Sequence, residues 1–473
     1  PLPVFTIGFS ETVASAPPEL TCISDITDGQ YFGARNASEL KEALYGVLNQ
    51  LNTGERSFSP FKVTPPPSSL GGPAAEQDFL VVYPFFSPIK ESSLWAGNLY
   101  GFKLNENQPT LPVDSECNVD VAELVVDDVT GNAWDAAARL TDQLSAATPV
   151  RPVFMGQLAS GAWSRHDLTE IPTDATLRLY LRNNMFVPGG INDLEAQEVV
   201  NFVRNIWVDN DTSVTPDPRD ANPSTVENDA RPDGYPVLGD FYHSQPTVVS
   251  PPNRSMFFFD YGYGDAHGYS SFMEKHAMRR RVVLAGANDG LLHAFDGGFY
   301  DRDRGSSTET YNQQHDLGDG SELFAYLPHA VMPRLYNMTY GNSQQYSVDG
   351  LIATSDVFID HDGDSNREWR TVAIATMRRG GRGMVALDIT QPDPINATTF
   401  VPEVPTDQFP GCLDTGTGCA DEYPKVLWEF EDKGDTDGNC PYAPGLACSP
   451  FWDLGWTWSK PCLLYTSDAA DDL

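Results

Sequence analysis

Residues 360–368 read Asp-His-Asp-Gly-Asp-Ser-Asn-Arg-Glu, a spacing that suits a hard cation. Asp360, Asp362, Asp364, Asn366 and Glu368 put an oxygen at every second position of a loop between strand-like Val357-Phe358-Ile359 and Trp369-Arg370-Thr371. Calcium takes six to eight oxygen ligands, and alternate side chains on a tight loop can turn inward on one ion. The loop is not an EF-hand: Ser365 stands where that motif needs Gly, and Thr371 where it needs the bidentate Glu. Asp435, Asp437 and Asn439 repeat the core spacing beside Cys440 as a second choice. The competing reading of both loops is an acidic hairpin tip that keeps an acidic protein in solution.

Other chemistries find less support. There is no Gly-x-Ser-x-Gly, His-Glu-x-x-His or Cys-x-x-Cys, so nucleophilic, zinc-hydrolase and zinc-ribbon readings fail. Arg378-Arg379-Gly380-Gly381-Arg382-Gly383 lacks the Lys-Ser/Thr end of a phosphate loop and reads as a turn between strands. His293 alternates with apolar neighbours and reads as a packed, hydrogen-bonded residue. Cys412, Cys419, Cys440 and Cys448 form two close pairs in Gly/Pro/Asp-rich loops, and Cys22 and Cys117 stand apart. Local disulfides in an oxidising compartment are expected, with connectivity open and reduced thiols as the alternative.

The chain that must position these residues has 473 of them, enough for two or three domains. With 40% apolar residues it can bury a real core. Gly 39, Pro 37 and an 11% aromatic share favour short strands and many turns over a helical bundle. The net charge of −36 repels phosphate backbones and anionic lipid, which excludes nucleic-acid binding as a main activity. No apolar run is long enough to span a membrane as a helix. Pro1-Leu2-Pro3-Val4 has neither initiator Met nor a basic stretch, so the chain reads as beginning inside its gene. From Cys462 onward it resembles a translated sequencing adapter, and residues 462–473 are set aside as a scar.

Residues 1–52 look α/β. Pro3–Phe9 and Tyr31-Phe32 are strand-like, Leu20, Ile23 and Ile26 are spaced for a helix, and Asn36 with Glu39 caps another carrying Leu40, Leu44, Val47, Leu48 and Leu51. Residues 53–235 read as a linker to about Gly72 and then a mixed α+β region. It holds strands at Phe79–Tyr83 and Gly97–Leu104 and a helix from Trp134 to Leu144. A second helix near Leu194–Trp207 is expected to bury Leu194, Val199, Phe202, Val203 and Ile206. From 236 to 461 short strands alternate with Asn-Asp-Gly, Asp-Gly-Asp and Gly-Gly-Arg-Gly turns. Two hairpin-built four-stranded sheets in succession suggest consecutive blades of a β-propeller, with a β-sandwich as the alternative.

Specific runs carry a family resemblance. Leu238-Gly239-Asp240 with His243-Ser244-Gln245-Pro246, Val283–Asp296, Gly320–Pro328, Tyr346–Gly350, Arg379–Asp388 and Leu454–Pro461 resemble the propeller of the PilC/PilY family, proteins tied to type IV pilus tips. Trp95–Leu99 and Trp134–Leu140 resemble the segment before it, and residues 1–51 the last third of a von Willebrand factor A domain. The resemblance implies a mainly β fold: the first blades of a truncated propeller after a mixed region and an A-domain remnant. It further implies an exported, non-catalytic pilus assembly factor and tip-associated adhesin of the outer membrane, cell surface or pilus tip. Minor pilins and the pilus fibre would be its partners, with an unknown surface receptor and calcium as cofactor. A quinoprotein-like dehydrogenase is the alternative, since those enzymes have a related propeller, but their adjacent Cys-Cys pair is missing here.

Overall fold

A strand whose two faces are both covered is mostly apolar, and Val282–Gly286 and Leu292–Asp296 are buried at every residue, with His293 and Asp296 the polar exceptions. In the computed structural model the residues described are 6–9, 31–34, 62–64, 79–89, 93–104, 133–145, 151–185, 187, 190–205, 236–252, 266–301, 314–315, 317–341, 343–400, 402, 410–413, 419, 421–431, 456–461 and 463. Strands β1 (Thr6–Phe9) and β2 (Tyr31–Ala34) pair in parallel with Thr6 opposite Tyr31. A parallel pair needs a crossover; the helices expected between and after these strands lie outside the described residues.

Next in the chain come β3 (Lys62–Thr64), β4 (Phe79–Ser87), β5 (Ala96–Leu104) and β6 (Ala133–Asp135), joined in that order as an antiparallel meander. Helix α1 (Ala136–Leu144) follows, then the hairpin β7 (Val153–Ala159) and β8 (Ala162–Asp167), and helices α2 (Ala175–Asn184) and α3 (Asp193–Val203). The middle meander is β9 (Thr247–Val249), β10 (Val282–Gly286), β11 (Leu292–Asp296) and β14 (Glu322–Leu327). Between its strands lie α4 (Tyr269–His276) and a small ladder of β12 (Tyr300–Asp301) and β13 (Gln314–His315). After a 3-10 turn at His329–Arg334 and α5 (Leu335–Tyr340), β15 (Ile352–Ile359), β16 (Glu368–Thr376), β17 (Gly383–Asp388) and β18 (Lys425–Glu431) form the last meander.

The first strands of the three meanders, β3, β9 and β15, lie side by side. Three up-and-down sheets fanned about adjacent first strands make a propeller arc. The faces agree: Val283 and Ala285 pack with Leu80, Leu99 and Trp134 of the sheet before, while Leu284 shares a core with Ile352, Ala373 and Val385 of the sheet after.

Several expectations change. The stretch read as a linker to Gly72 holds β3, which three residues among prolines are too few to signal. Trp134 belongs to β6, not to a helix start, and its indole Nε1 donates to Leu317 O at 2.9 Å. Leu194 is 71% exposed. The capping box of Asn192 with Glu195 starts α3 so that Leu194 falls about 200° around the helix from buried Ala196. Ile206 lies outside the described residues. The middle sheet has six strands, because β7 pairs in parallel with β14 and brings β8 with it.

One device ties the sheets together. The segments leading into the middle and last sheets bond the region of the turn between second and third strands of the sheet before, and Thr457 fills the same turn of the last sheet. Gly97 N donates to Leu238 O at 2.9 Å. Ser347 Oγ accepts from Gly290 N and donates to Ala287 O, both at 3.0 Å. Thr457 Oγ1 accepts from Met377 N (3.1 Å) and Arg378 N (3.2 Å) and donates to Gly383 O (3.1 Å). Such contact needs backbones without side chains between them: a Cβ on Gly97 would sit 1.9 Å from Gly239 O, and one on Gly380 1.5 Å from Ser347 O. Gly97→Ala and Gly380→Ala should therefore each destabilise the chain by about 2–3 kcal/mol, read as a lower urea midpoint; unchanged midpoints would show that the sheets separate freely.

Candidate functional site

Strands β15 and β16 pair as far as Ile359 opposite Glu368, so residues 360–367 form the hairpin loop. Gly363 (φ 81) and Ser365 (φ 70) take left-handed backbone and curl it; at Ser365 a side chain adopts what Gly does more readily. Asp360 Oδ1 and Oδ2 accept from Gly363 N (2.8 Å) and Ser365 N (3.0 Å), Asp362 Oδ1 from Asp364 N (3.1 Å), and Asp364 Oδ1 from Asn366 N (2.7 Å). These short-range bonds bring one carboxylate oxygen each of Asp360, Asp362 and Asp364 within 4.8 Å of one another, all exposed. The Asn366 side chain donates to Asp364 Oδ2 at 2.9 Å and, with its backbone N–H, holds the Asp364 carboxyl below the ordinary range.

Glu368 does not join them. It is the first residue of β16, where side chains two apart share a face, and Arg370 takes its carboxylate at 2.6 Å. His361 bridges the loop base, with Nδ1 2.9 Å from Glu368 and Nε2 3.0 Å from Asp421, which Arg370 (2.9 Å) and Lys425 (3.3 Å) also hold. Three of the five expected ligands are thus gathered, Asn366 buttresses one of them, and Glu368 faces away. Asp435, Asp437, Asn439, Cys440 and Cys448 lie outside the described residues. Cys412 and Cys419 are bonded, with Cα atoms 5.6 Å apart.

A second polar constellation, not singled out as a unit in the sequence, is wholly buried. His293 Nδ1 meets Glu322 at 2.6 Å and its Nε2 lies 3.1 Å from both oxygens of Asp289. Glu322 also accepts from Arg151 Nε at 2.5 Å and Nη2 at 3.0 Å, and Asp289 accepts from Gly239 N at 2.9 Å. Burial pulls the imidazole pKa down, but Asp289 and then Glu322 outweigh it and raise it to about 9. Burial would raise Glu322, yet Arg151 and His293 bring it to about 2. This buried chain of charges joins the segment before β7, the entry to the middle sheet, and strands β11 and β14. The Asp289-x-x-x-His293 spacing was its only visible trace.

Near it, burial pushes Asp240 up to about 7 beside Asn288 (2.7 Å), and Asp349 up to about 7 beside His243 (2.6 Å). The Arg378–Gly383 run is the β16–β17 turn, and its arginines lie over aromatic rings: Arg378 on Trp458 at 4.9 Å and Arg379 on Tyr346 at 5.5 Å.

Residues 238–417 match the PilY1 β-propeller domain family. Over this span the chain is similar to the PilY/PilC family. The matched PilY1-type region takes in the lead-in at Leu238, strands β9 to β11 and β14 of the middle sheet, β15 to β17 and the Asp360 loop. A "Type IV pilus biogenesis factor PilY1 homolog" of Xylella fastidiosa is 36% identical over 160 residues, covering 34% of this chain and 11% of the relative. A "Type IV pilus biogenesis factor PilY1" of Pseudomonas aeruginosa is 24% identical over 445 residues, 92% of this chain and 28% of the relative. A PilY1 from another strain of that species is 32% identical over 178 residues, 37% of this chain and 13% of the relative. The chain thus spans well under a third of these relatives' length. No solved structure matches it.

The PilY-type core has an unusual pH dependence built in. His293 keeps its proton to about pH 9 when folded but releases it near about 6.5 when unfolded. Asp240, Asp349 and Glu429, all raised to about 7 mainly by burial, act in the same direction at lower pH. His243, lowered to about 4, and His276, lowered well below its usual value, oppose them only below about 6.5. Above that the folded state binds more protons, so stability should fall steadily from pH 6.5 to 9. Urea midpoints across that window should show the decline, and a His293→Gln variant should lose most of the slope.

Proposed function

We propose that this chain is part of an exported type IV pilus biogenesis factor that works by binding rather than by catalysis. The match of 238–417 to the PilY1 propeller domain carries the reading, and the curated relatives bear the name of biogenesis factors. Minor pilins and the pilus fibre are the partners this reading implies, with the protein at the outer membrane, cell surface or pilus tip, where it would act as an adhesin and support twitching. Residues 1–52 would be the end of a von Willebrand factor A domain; the parallel β1–β2 pair supports that placement. The internal pairing of His293 with Glu322 and Asp289 gives the Asn288-Asp289-Gly290 turn a structural task, and the relatives' names lend the quinoprotein alternative no support. Complementing a PilY1-deficient strain with the full-length gene should restore surface pili; failure despite export would reject the reading.

Calcium is the cofactor of this proposal, with Asp360, Asp362 and Asp364 as the gathered ligands and Asn366 beside them. Three carboxylates within 4.8 Å repel unless a cation lies among them. Their present bonds are to backbone N–H groups of the same loop, each of which leaves lone pairs to spare. Few carboxylates on an exposed loop imply a weak site, with a dissociation constant of about 10⁻⁴–10⁻³ M. Calorimetry with calcium should show such binding, and Asp362→Asn or Asp364→Asn should weaken it at least about tenfold, roughly 1.4 kcal/mol. Binding undiminished in both variants would move the site elsewhere.

A further inference from the structure

A row of aromatic rings crosses the fan on the side where the lead-in segments meet the turns. Phe86 in β4 and Trp95 just before β5 stack at 6.0 Å, and Tyr242, leading into the middle sheet, lies 5.2 Å from Phe86 and 6.1 Å from Trp95. Tyr346, leading into the last sheet, follows 6.0 Å from Tyr242. The Arg379 guanidinium then bridges Tyr346 at 5.5 Å to Trp458 at 5.7 Å, and Arg378 lies 4.9 Å from the Trp458 ring. Phe86 is the buried floor of the row. Trp95, Tyr242 and Tyr346 are half-buried, while Trp458 (48% exposed) and Arg379 stand open to solvent.

Two observations mark this row as a contact surface. First, Arg379 is unspent. It is exposed and held by ring contacts, and among the described residues no hydrogen bond or ion pair engages its N–H groups. Arg370 is the contrast: it lines a cavity of about 360 Å³ beside α4, but Glu368, Asp388 and Asp421 already hold it. The carboxylates that border the row are buried and taken, Asp240 by Asn288 at 2.7 Å and Asp349 by His243 at 2.6 Å. With 66 acidic residues against 30 basic ones, an arginine left without an acid is out of keeping with the rest of the chain. Second, Trp, Tyr and Arg are the side chains that dominate binding energy at interfaces, and here they are gathered and already braced by one another, so little freedom remains to be lost on contact.

Charge and shape select the partner. After burial, Arg378 and Arg379 are what hold His243 down to about 4, so their positive field is felt across the row. A guanidinium with free N–H groups takes a carboxylate in two parallel bonds. Neighbouring rings stand at 64° and 67° to one another, which makes clefts that suit side chains and not one flat platform for a sugar ring.

We propose that this row docks an acidic, extended segment of a protein partner, with a carboxylate of that segment on Arg379 and apolar side chains beside it in the clefts around Tyr346 and Trp458. The surface needs neither the pilus reading nor calcium, since it uses none of Asp360, Asp362 or Asp364.

A displayed random-peptide library selected on the full chain would supply the probes, and fluorescence anisotropy of the enriched peptides, carrying a dye, their affinities. Enriched peptides should carry Asp or Glu next to apolar residues. Replacing those acids by Asn or Gln should weaken binding about tenfold, as should Arg379→Ala and Arg379→Gln in the protein, and Trp458→Ala should cost about fivefold. Both side chains are exposed, so thermal midpoints should stay near the parent's; if Trp458→Ala shifts its midpoint, the Arg379 variants decide alone. A uronate oligosaccharide tested alongside should not bind at about 1 mM. No enriched peptide, enrichment without acids, undiminished affinity in the Arg379 variants, or Arg379-dependent binding of the oligosaccharide in place of peptides would each overturn the proposal.

Discussion

A sheet without a wet face cannot stand alone, and β10 and β11 have no exposed residue. Burying both sides of these strands requires one sheet before them and another after, each turned so that its own apolar face meets theirs. Val283 and Ala285 look one way and Val282 and Leu284 the other, as the two-residue period of a strand demands. Apolar contact alone is non-directional and would permit sliding. The lead-in hydroxyl of Ser347, set into the turn of the preceding sheet, fixes the angle at which the last sheet enters, and Thr457 fills the corresponding turn of that last sheet. Glycine at 97 and 380 lets the backbones approach that closely.

Buried charge adds direction to the same joints. Three consecutive arginines run into β10, and each has a different task. Arg279 reaches Thr371 of β16 at 2.7 Å, Arg280 meets Asp393 at 3.0 Å and Asp296 at 3.2 Å, and Arg281 donates to Gly297 O at 3.0 Å. The first two cross from the middle sheet to the last. Isolated ions would be prohibitively costly here, so Arg279 and Arg280 are tolerated only where the neighbouring sheet supplies oxygens, while Arg281 finds its acceptor within its own sheet. That dependence makes the fan specific: a neighbour in the wrong register would leave a guanidinium unpaired. The acidic surplus of the chain therefore coexists with a core whose cations are drawn inward as fasteners.

What the sequence revealed follows from how local each signal is. Val282–Gly286, Leu292–Asp296 and Glu322–Leu327 announce themselves as short apolar runs between turn residues, because both of their faces are dry. The β7–β8 hairpin did not, since Ser164, Arg165 and His166 lie on a half-wet strand and dilute its pattern. Helix α4 was missed because Tyr-Ser-Ser-Phe-Met-Glu-Lys-His carries too short an apolar stripe to stand out. Leu194 misled because its helix begins one residue earlier, at a cap that turns it to solvent. In the candidate calcium loop, alternate spacing located Asp360, Asp362 and Asp364 correctly as neighbours, but it runs on into β16, where the pleat hands Glu368 to Arg370.

That hand-over links two regions no sequence window could have joined. Glu368 leaves the aspartates for Arg370, which Asp421 also holds, and Arg370 in turn lines the cavity beside α4. A single strand start thus separates an acidic surface from a cationic recess only a few residues away. The separation costs little, because Asp421 shares both His361 and Arg370 and so balances charge at the boundary. Opposite charges held this close without collapsing onto each other need a rigid support. The long β15–β16 ladder, paired from Ile352 opposite Ala375 to Ile359 opposite Glu368, supplies it.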